Sequence, residues 1–174
     1  MPDGTPTDVN ERVETEWVEE TTPFERVREV MKRTYEPQPI SEIAARARTS
    51  ENTARKHLDH LADEGFVVET GSPDARGVCY KRSNESLVLE QANRIRSEVD
   101  SSTLASRVAE MQQMVRAYRE EYDADSPEDA VLSDTEIDSE TLQTWQTTRR
   151  NLSFARVALA VSNAEQDLQT SHAQ

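Results

Sequence analysis

The chain has 174 residues, a length that suits one domain with an appendage or one elongated domain. Only 34% of its residues are hydrophobic and 31% are charged, which argues against a large globular core and favours long amphipathic helices around a small one. The formal net charge is −14, and four glycines leave little room for glycine-rich phosphate loops. Composition therefore predicts a mainly helical protein.

The first segment, residues 1–22, carries seven acidic side chains and one arginine, with little hydrophobic periodicity. A segment so poor in apolar residues cannot bury enough surface to fold alone. We expect an acidic, flexible tail, in which Trp17 and Val18 are the only anchors that can pack on the following domain.

Three helices are predicted next. Apolar residues at helical spacing predict a helix from about Pro23 to Tyr35, which the prolines of "EPQP" end. Ser41 is the expected N-cap of a short second helix. A third, over 50–64, starts at Thr49 or Ser50 and buries alanine and leucine side chains at helical spacing, and Gly65 suits its C-terminal end.

After this helix the period changes to that of β-structure. The runs "FVVET" and "VCYKR" flank "GSPDARG", which is rich in turn-forming residues. We expect a hairpin over 66–82 with its tip near Asp74 to Gly77.

Two long helices are predicted in the remainder, over about 86–123 and 139–168. The step from Val99 to Leu104 breaks the register, so a kink is expected there. Ser126, Pro127 and Glu128 indicate one helical turn in the polar connector. Domains are therefore expected at 1–22, 23–84 and 85–174.

The order helix, helix, helix, strand, loop, strand is that of a winged helix-turn-helix. The stretch "PISEIAARARTSENTARKHLDHLADEGFV" resembles the helix-turn-helix of ArsR-type and related archaeal transcription regulators, and "GVCYKRS" resembles the second strand of their wing. The resemblance covers about residues 23–84. It implies a mainly helical fold with a small β-hairpin wing, and a homodimer that binds double-stranded DNA.

In such a module the recognition helix places its N-terminal residues against base edges in the major groove, and the wing follows the backbone or enters the minor groove. Asn52 can read adenine, and Arg55 can read guanine or hold a phosphate. The predicted DNA-binding residues are Arg48, Thr49, Ser50, Asn52, Thr53, Arg55, Lys56, His60, Arg76, Lys81 and Arg82.

Local charge supports this hypothesis. Residues 24–84 contain 11 basic and 10 acidic side chains, whereas the others contain 9 basic and 24 acidic ones. The predicted DNA-binding segment is thus close to neutral, whereas the rest of the chain is strongly acidic. Because winged helices also serve as protein-docking modules, a docking subunit of a transcription complex without specific DNA binding is the alternative.

The acidic surplus also has a pattern, since the chain holds 17 Arg but only 3 Lys against 34 Asp and Glu. This acid-rich, lysine-poor composition resembles that of proteins from salt-accumulating archaea, and the helical remainder resembles extensions on regulators of halophilic archaea. An ordinary acidic protein is the other interpretation.

The long helices carry apolar stripes typical of coiled-coil seams. The stripes indicate either pairing within one chain or a homodimer seam, and we expect both. Trp145, Arg149 and Phe154 could line a small pocket for an unidentified effector. The predicted dimerisation residues are Val88, Ile95, Val99, Leu104, Val108, Met111, Val115, Tyr118, Leu152 and Leu159.

Other chemistry is weakly indicated. His57, His60 and Glu64 have the spacing of half a metal site, but packing or phosphate contact is the favoured interpretation; Cys79 is expected to be a small buried side chain rather than a redox switch. No nucleophile elbow, P-loop, dinucleotide fingerprint or zinc quartet is present, so we expect no enzyme, cofactor or metal. With no signal peptide and no 18-residue apolar run, we expect a cytoplasmic protein.

Overall fold

The structure, a computed structural model of the protein, describes residues 6–71 and 77–173. The chain divides into two compact units, Met1–Leu87 and Val88–Gln174. None of the helices in the described ranges combines the length and the apolar character that crossing a bilayer requires.

The first unit begins with a helix where a flexible tail was expected: α1 spans Pro6–Glu20. Its C-terminal end is held by packing and hydrogen bonds. Trp17 packs against the hydrophobic core of the unit. The guanidinium of Arg26 donates to the carbonyl oxygens of Val18 (3.2 Å) and Thr21 (2.5 Å). These tertiary contacts order a segment whose own composition does not favour folding.

The first predicted helix is α2, Pro23–Lys32, which ends before the expected Tyr35. Its start is fixed by a capping box, in which the side chain of Thr22 accepts from the N–H of Glu25 and the Glu25 carboxylate accepts from the N–H of Thr22.

The second helix, α3, spans Ile40–Arg46. Ser41 is not its N-cap; Pro39 occupies that position without a side-chain hydrogen bond. The physical reason is that Ile40 is buried in the core and so joins the first turn of the helix. The two residues before it, Gln38–Pro39, form a short strand, β1, which the sequence pattern did not predict.

The third helix, α4, spans Glu51–Asp63 and starts from Ser50, as predicted. Gly65 follows it with φ +78°, the left-handed conformation that glycine adopts without strain.

The wing consists of β2, Val67–Gly71, and β3, Val78–Arg82, paired antiparallel. In their register Val68 faces Lys81. The short β1 pairs with the other edge of β3, so the sheet order is β1-β3-β2. The expected hairpin tip falls largely in residues 72–76, outside the described residues.

The core of this unit lies between α2, α3, α4 and the sheet, which is the arrangement of a winged helix-turn-helix. Most of its side chains are small or branched and apolar, with Met31 and Tyr80 as larger members, and seven of its residues are fully buried. The core contains Val27, Val30, Met31, Ile40, Ile43, Ala44, Ala47, Ala54, Leu58, Leu61, Val67 and Tyr80.

The second unit is helical in its described residues. The segment 86–123, predicted as one kinked helix, is two helices: α5, Asn84–Glu98, whose first turn belongs to the first unit, and α6, Ser101–Tyr122. The break occurs because Asp100 caps α6, accepting from the N–H of Thr103 at 2.9 Å. The last two helices are α7, Pro127–Leu132, in the polar connector as predicted, and α8, Ser139–His172.

Two apolar clusters hold this unit together. Along α6 and α8, aliphatic side chains form one seam that includes Leu104, Val108 and Leu152. At the other end of α6, the rings of Tyr118, Tyr122 and Trp145 stack with centroids 5.5–6.5 Å apart. Trp145 is fully buried there, and so it cannot line the ligand pocket that the sequence suggested.

Candidate nucleic-acid interface

The N-terminal turn of α4 is the most defined part of the candidate interface. Ser50 accepts from the N–H of Thr53 at 3.2 Å, and its hydroxyl bonds the Thr53 hydroxyl at 2.9 Å. On the inner side Ala54, Leu58 and Leu61 are fully buried. Because the cap and the buried stripe fix both the start and the rotation of α4, they also fix which residues face outward and how these are spaced along the helix.

The outward face of α4 is polar and open. Asn52, Arg55 and Lys56 are exposed there, as predicted, and Thr53 is half-buried. The three exposed side chains line one groove together with Phe24 of α2. They combine an amide, which can pair with an adenine edge, and two cations, which can hold guanine or phosphate. The face is not uniformly basic, since Asp59 lies in the same groove.

The turn between α3 and α4 is held from beneath by a buried arginine. Arg26 of α2 is only 5% exposed, and its Nε donates to the carbonyl oxygen of Ala47 at 2.9 Å. The N–H of Thr49 donates to the carbonyl oxygen of Ala44 at 3.0 Å, and Arg48 adopts a left-handed φ of 52°. Sequence reasoning missed the role of Arg26, because no local pattern distinguishes a buried arginine from an exposed one.

Of the predicted contacts in this turn, Thr49 is half-buried and Arg48 is exposed but engaged. The Arg48 guanidinium lies 2.6 Å from the carboxylate of Glu14 on α1. Both side chains are about half exposed, so this ion pair contributes little to stability. An incoming phosphate would compete with Glu14 for the same guanidinium.

The histidines of α4 pack on α2. The ring of Phe24 makes edge contacts with His57 and His60, with centroids 5.5 and 5.7 Å away. Burial, followed by the charge of Lys56, lowers the pKa of His57. His60 is exposed and lies 3.1 Å from the carboxylate of Glu64. Nowhere in the described ranges do three such side chains converge as a metal site.

The described part of the wing exposes fewer cations than the sequence predicted. Lys81 is half-buried on β3, and Arg76 lies outside the described residues. Arg82 cannot reach a duplex from its position, because it is 4% exposed and donates to the carbonyl oxygen of Lys32 (3.0 Å) and the hydroxyl of Ser86 (3.2 Å). It fastens β3 to the helices instead.

The same strand also ties the wing to α4. Cys79 is 5% exposed, in agreement with its predicted place as a small buried side chain. The hydroxyl of the neighbouring Tyr80 donates to the carboxylate of Asp59 on α4 at 3.1 Å. Burial, then this hydrogen bond, raises the pKa of Tyr80 to about 12, so the phenol remains a donor at neutral pH.

The predicted dimerisation residues are largely used within the chain. Leu104, Val108, Val115 and Leu152 are at most 6% exposed in the seam between α6 and α8. Ile95, Val99, Met111 and Leu159 pack against that seam, and Tyr118 packs in the aromatic cluster, while Val88 is half-buried. Pairing within one chain therefore accounts for this set, and the homodimer stays a prediction.

A family model described as a "Family of unknown function (DUF7342)" matches residues 21–163. The chain belongs to this family. The match begins just after α1 and ends within α8, so it covers the helix-turn-helix and wing of the first unit and most of the second unit.

Among curated proteins no match was found. Among solved structures, one similar chain is a MarR family transcriptional regulator from Silicibacter pomeroyi DSS. It is 17% identical, the alignment covers 67% of this chain and 94% of the regulator, and the TM-score is 0.35.

Proposed function

We propose that this member of DUF7342 is a sequence-specific, double-stranded DNA-binding transcription regulator of the ArsR-like winged-helix type, and that it acts as a homodimer. Its recognition helix would be α4, in the major groove, with the β2–β3 wing on the backbone or in the minor groove. The protein would act by binding and not by catalysis.

The observation that carries the proposal is the N-terminal half of α4. Its start is capped by Ser50, its inner face is fully buried, and Asn52, Arg55 and Lys56 stand exposed on its outer side. A helix held in this way presents base-reading and phosphate-binding groups at fixed spacing, and rigid presentation lowers the entropy lost on binding.

The homodimer is proposed because two recognition helices must reach major grooves about one helical turn apart on a palindromic site. Its interface cannot be the α6–α8 seam, which one chain already fills. The apolar side chains left for it in the second unit are partly exposed ones such as Leu89 and Met114, each 43% exposed. Light scattering with size-exclusion chromatography would give the mass in solution.

The salt-adapted origin is also part of the proposal, supported by the ratio of 17 Arg to 3 Lys in a chain of charge −14. In strong salt, bound cations would bridge acidic side chains and phosphates. The affinity for DNA should then fall less steeply with salt than the release of phosphate counterions alone predicts.

One observation favours the rival function, a docking subunit without specific DNA binding. The exposed face of α4 mixes Arg55 and Lys56 with Glu51, Asp59 and Asp63. A face with both signs of charge suits a protein surface of complementary pattern as well as a duplex.

Selection from a randomised duplex library in high potassium salt separates the two functions. Enrichment of a palindrome with half-sites about one helical turn apart is the result expected of the regulator. If the folded protein enriches no sequence, the DNA-binding proposal is wrong, and the docking function takes its place.

A further inference from the structure

Beside the seam of α6 and α8 lies a groove of about 260 Å³ that the DNA-binding proposal does not use. Its floor is apolar, formed by Val115 and Leu152, which are 6% and 4% exposed. Its walls are four arginines, Arg116, Arg119, Arg149 and Arg156. This groove is called the arginine groove below.

Helical periodicity explains why the four arginines line one groove. Arg116 and Arg119 are three residues apart on α6, and Arg149 and Arg156 are seven apart on α8. Both spacings keep side chains on one face of an α-helix. Because the apolar stripes of α6 and α8 face each other, the arginine rows that flank those stripes are brought to the same side of the seam.

The concentration of positive charge is unusual for this unit. Residues 88–174 contain 16 acidic side chains, no lysine and eight arginines, and half of those arginines line the arginine groove. No acidic side chain of the described residues lines it. Like charges along the walls of one groove repel one another, and an anion bound between them would offset that repulsion.

Two of the four arginines are held in place by groups outside the groove lining. Both terminal nitrogens of Arg149 donate to the carboxylate of Glu128, each at 2.7 Å. The Nε of Arg119 donates to the carbonyl oxygen of Asp125 at 2.9 Å. These contacts orient the walls of the groove before any ligand binds, which lowers the cost of binding.

The other two arginines are available as donors. Arg116 and Arg156 are exposed, and within the described part of the chain neither makes a hydrogen bond or ion pair. A guanidinium presents a planar fork of N–H donors that matches the two oxygens of a carboxylate or phosphate. Gln112 and Ser153 add neutral polar groups to the same lining.

We propose that the arginine groove binds a small oxyanion of two or more negative charges, carrying phosphate or carboxylate groups. Arg116 and Arg156 donate to its oxygens, and Arg119 adds a further positive charge, while Arg149, whose charge is paired with Glu128, forms part of the wall. The volume suits a compact metabolite rather than a macromolecular surface. The inference rests on the second unit alone and holds whether or not α4 binds DNA.

The test is isothermal titration calorimetry of the full chain in potassium chloride of constant ionic strength. Inorganic pyrophosphate serves as the phosphate probe and succinate as the dicarboxylate probe. Saturable binding of at least one of them at one ligand per chain is expected. The probe that binds more tightly shows whether the groove prefers phosphate or carboxylate groups. If neither probe gives saturable heat, the proposal is wrong.

The matched variants locate the site. Arg116→Gln with Arg156→Gln removes the two free donors and is expected to weaken binding at least tenfold. Arg94→Gln with Arg107→Gln makes the same charge change at exposed positions outside the groove lining and should stay within twofold of wild type. Equal loss in both double variants would show a general charge effect and overturn the site. Circular dichroism checks that both double variants remain helical. If the Arg116→Gln, Arg156→Gln variant does not, the single Arg156→Gln variant replaces it.

Discussion

The two units use amphipathic helices in opposite ways. In the first, α4 buries one side in the core and leaves Asn52, Arg55 and Lys56 on a face that also carries acids. In the second, α6 and α8 bury their stripes against each other and leave a groove walled by arginines alone among its charged residues. Net charge does not distinguish these outcomes; the position of each charge relative to the buried stripe does.

Within each unit the arginines also differ in whether their N–H donors are already used within the protein. In the first unit Arg26 is buried and donates to carbonyl oxygens, and the buried Arg82 donates to a carbonyl oxygen and a hydroxyl. In the second unit Arg116 and Arg156 keep their donors exposed. Both units thus contain arginines held by internal contacts, Arg26 and Arg82 in the first and Arg119 and Arg149 in the second. Both also contain exposed arginines that are candidate ligand contacts, Arg55 in the first and Arg116 and Arg156 in the second.

The largest expected effect on stability comes from shortening a buried leucine in the core of either unit. Leu58→Ala and Leu152→Ala each remove a buried side chain and should lower the free energy of unfolding by about 3 kcal/mol. Trp17 belongs to the first unit and Trp145 to the second, so single-tryptophan variants report each unit separately in chemical denaturation. We expect each leucine variant to shift mainly the tryptophan of its own unit. Equal shifts of both probes would contradict the division into two units.

A smaller effect on stability should follow from replacing Arg26, the buried arginine that holds the turn between α3 and α4. Arg26→Met leaves the carbonyl oxygens of Ala47 and Thr21 without this donor, which should cost about 2 kcal/mol of stability. Arg33→Met, at an arginine whose side chain is 78% exposed in a surface ion pair, should change stability by less than about 0.5 kcal/mol. Denaturant midpoints measured by the fluorescence of Trp17 compare the two variants. Similar losses of stability in both would contradict the role assigned to Arg26.

The smallest expected effect concerns the break between α5 and α6. The N–H of Thr103, then the hydroxyls of Ser102 and Thr103, lower the pKa of Asp100 to about 2. Because this lies below the unfolded value of about 3.9, the carboxylate stabilises the folded chain fully above about pH 4 and loses that contribution as the pH falls through 2.

Asp100→Asn keeps a capping oxygen but does not titrate, so it is the matched control. The difference in denaturant midpoint between wild type and this variant should be constant from pH 4 to 6 and shrink below about pH 3. A difference that does not change with pH would mean that the cap does not depend on the charge of Asp100.

Much of the first unit was predictable because its signals are local. Proline and glycine mark helix ends, alanine and leucine spacing marks the inner face of α4, and turn formers separate the two wing strands. The same patterns predicted α7 and α8 in the second unit. Strand β1 was missed because two residues carry no periodicity, and its pairing with β3 is a tertiary effect.

The candidate sites were less predictable, because burial of a long polar side chain depends on tertiary packing. Sequence patterns placed Asn52 and Arg55 on the outer face correctly, since that follows from the buried stripe of α4 alone. They placed Arg82 on the DNA surface, where the structure buries it. They overlooked the arginine groove, because residues far apart in sequence come together only when α6 pairs with α8.

The most direct test of the DNA-binding account is fluorescence anisotropy with the selected duplex, comparing Arg55→Ala with Arg94→Ala. The first removes a cation from the exposed face of α4, and the second makes the same charge change in the second unit. Loss of one contact to a base edge or phosphate should weaken binding about tenfold or more for Arg55→Ala, with less than twofold change for Arg94→Ala. Equal affinities of the two variants would contradict the assignment of α4 as the recognition helix.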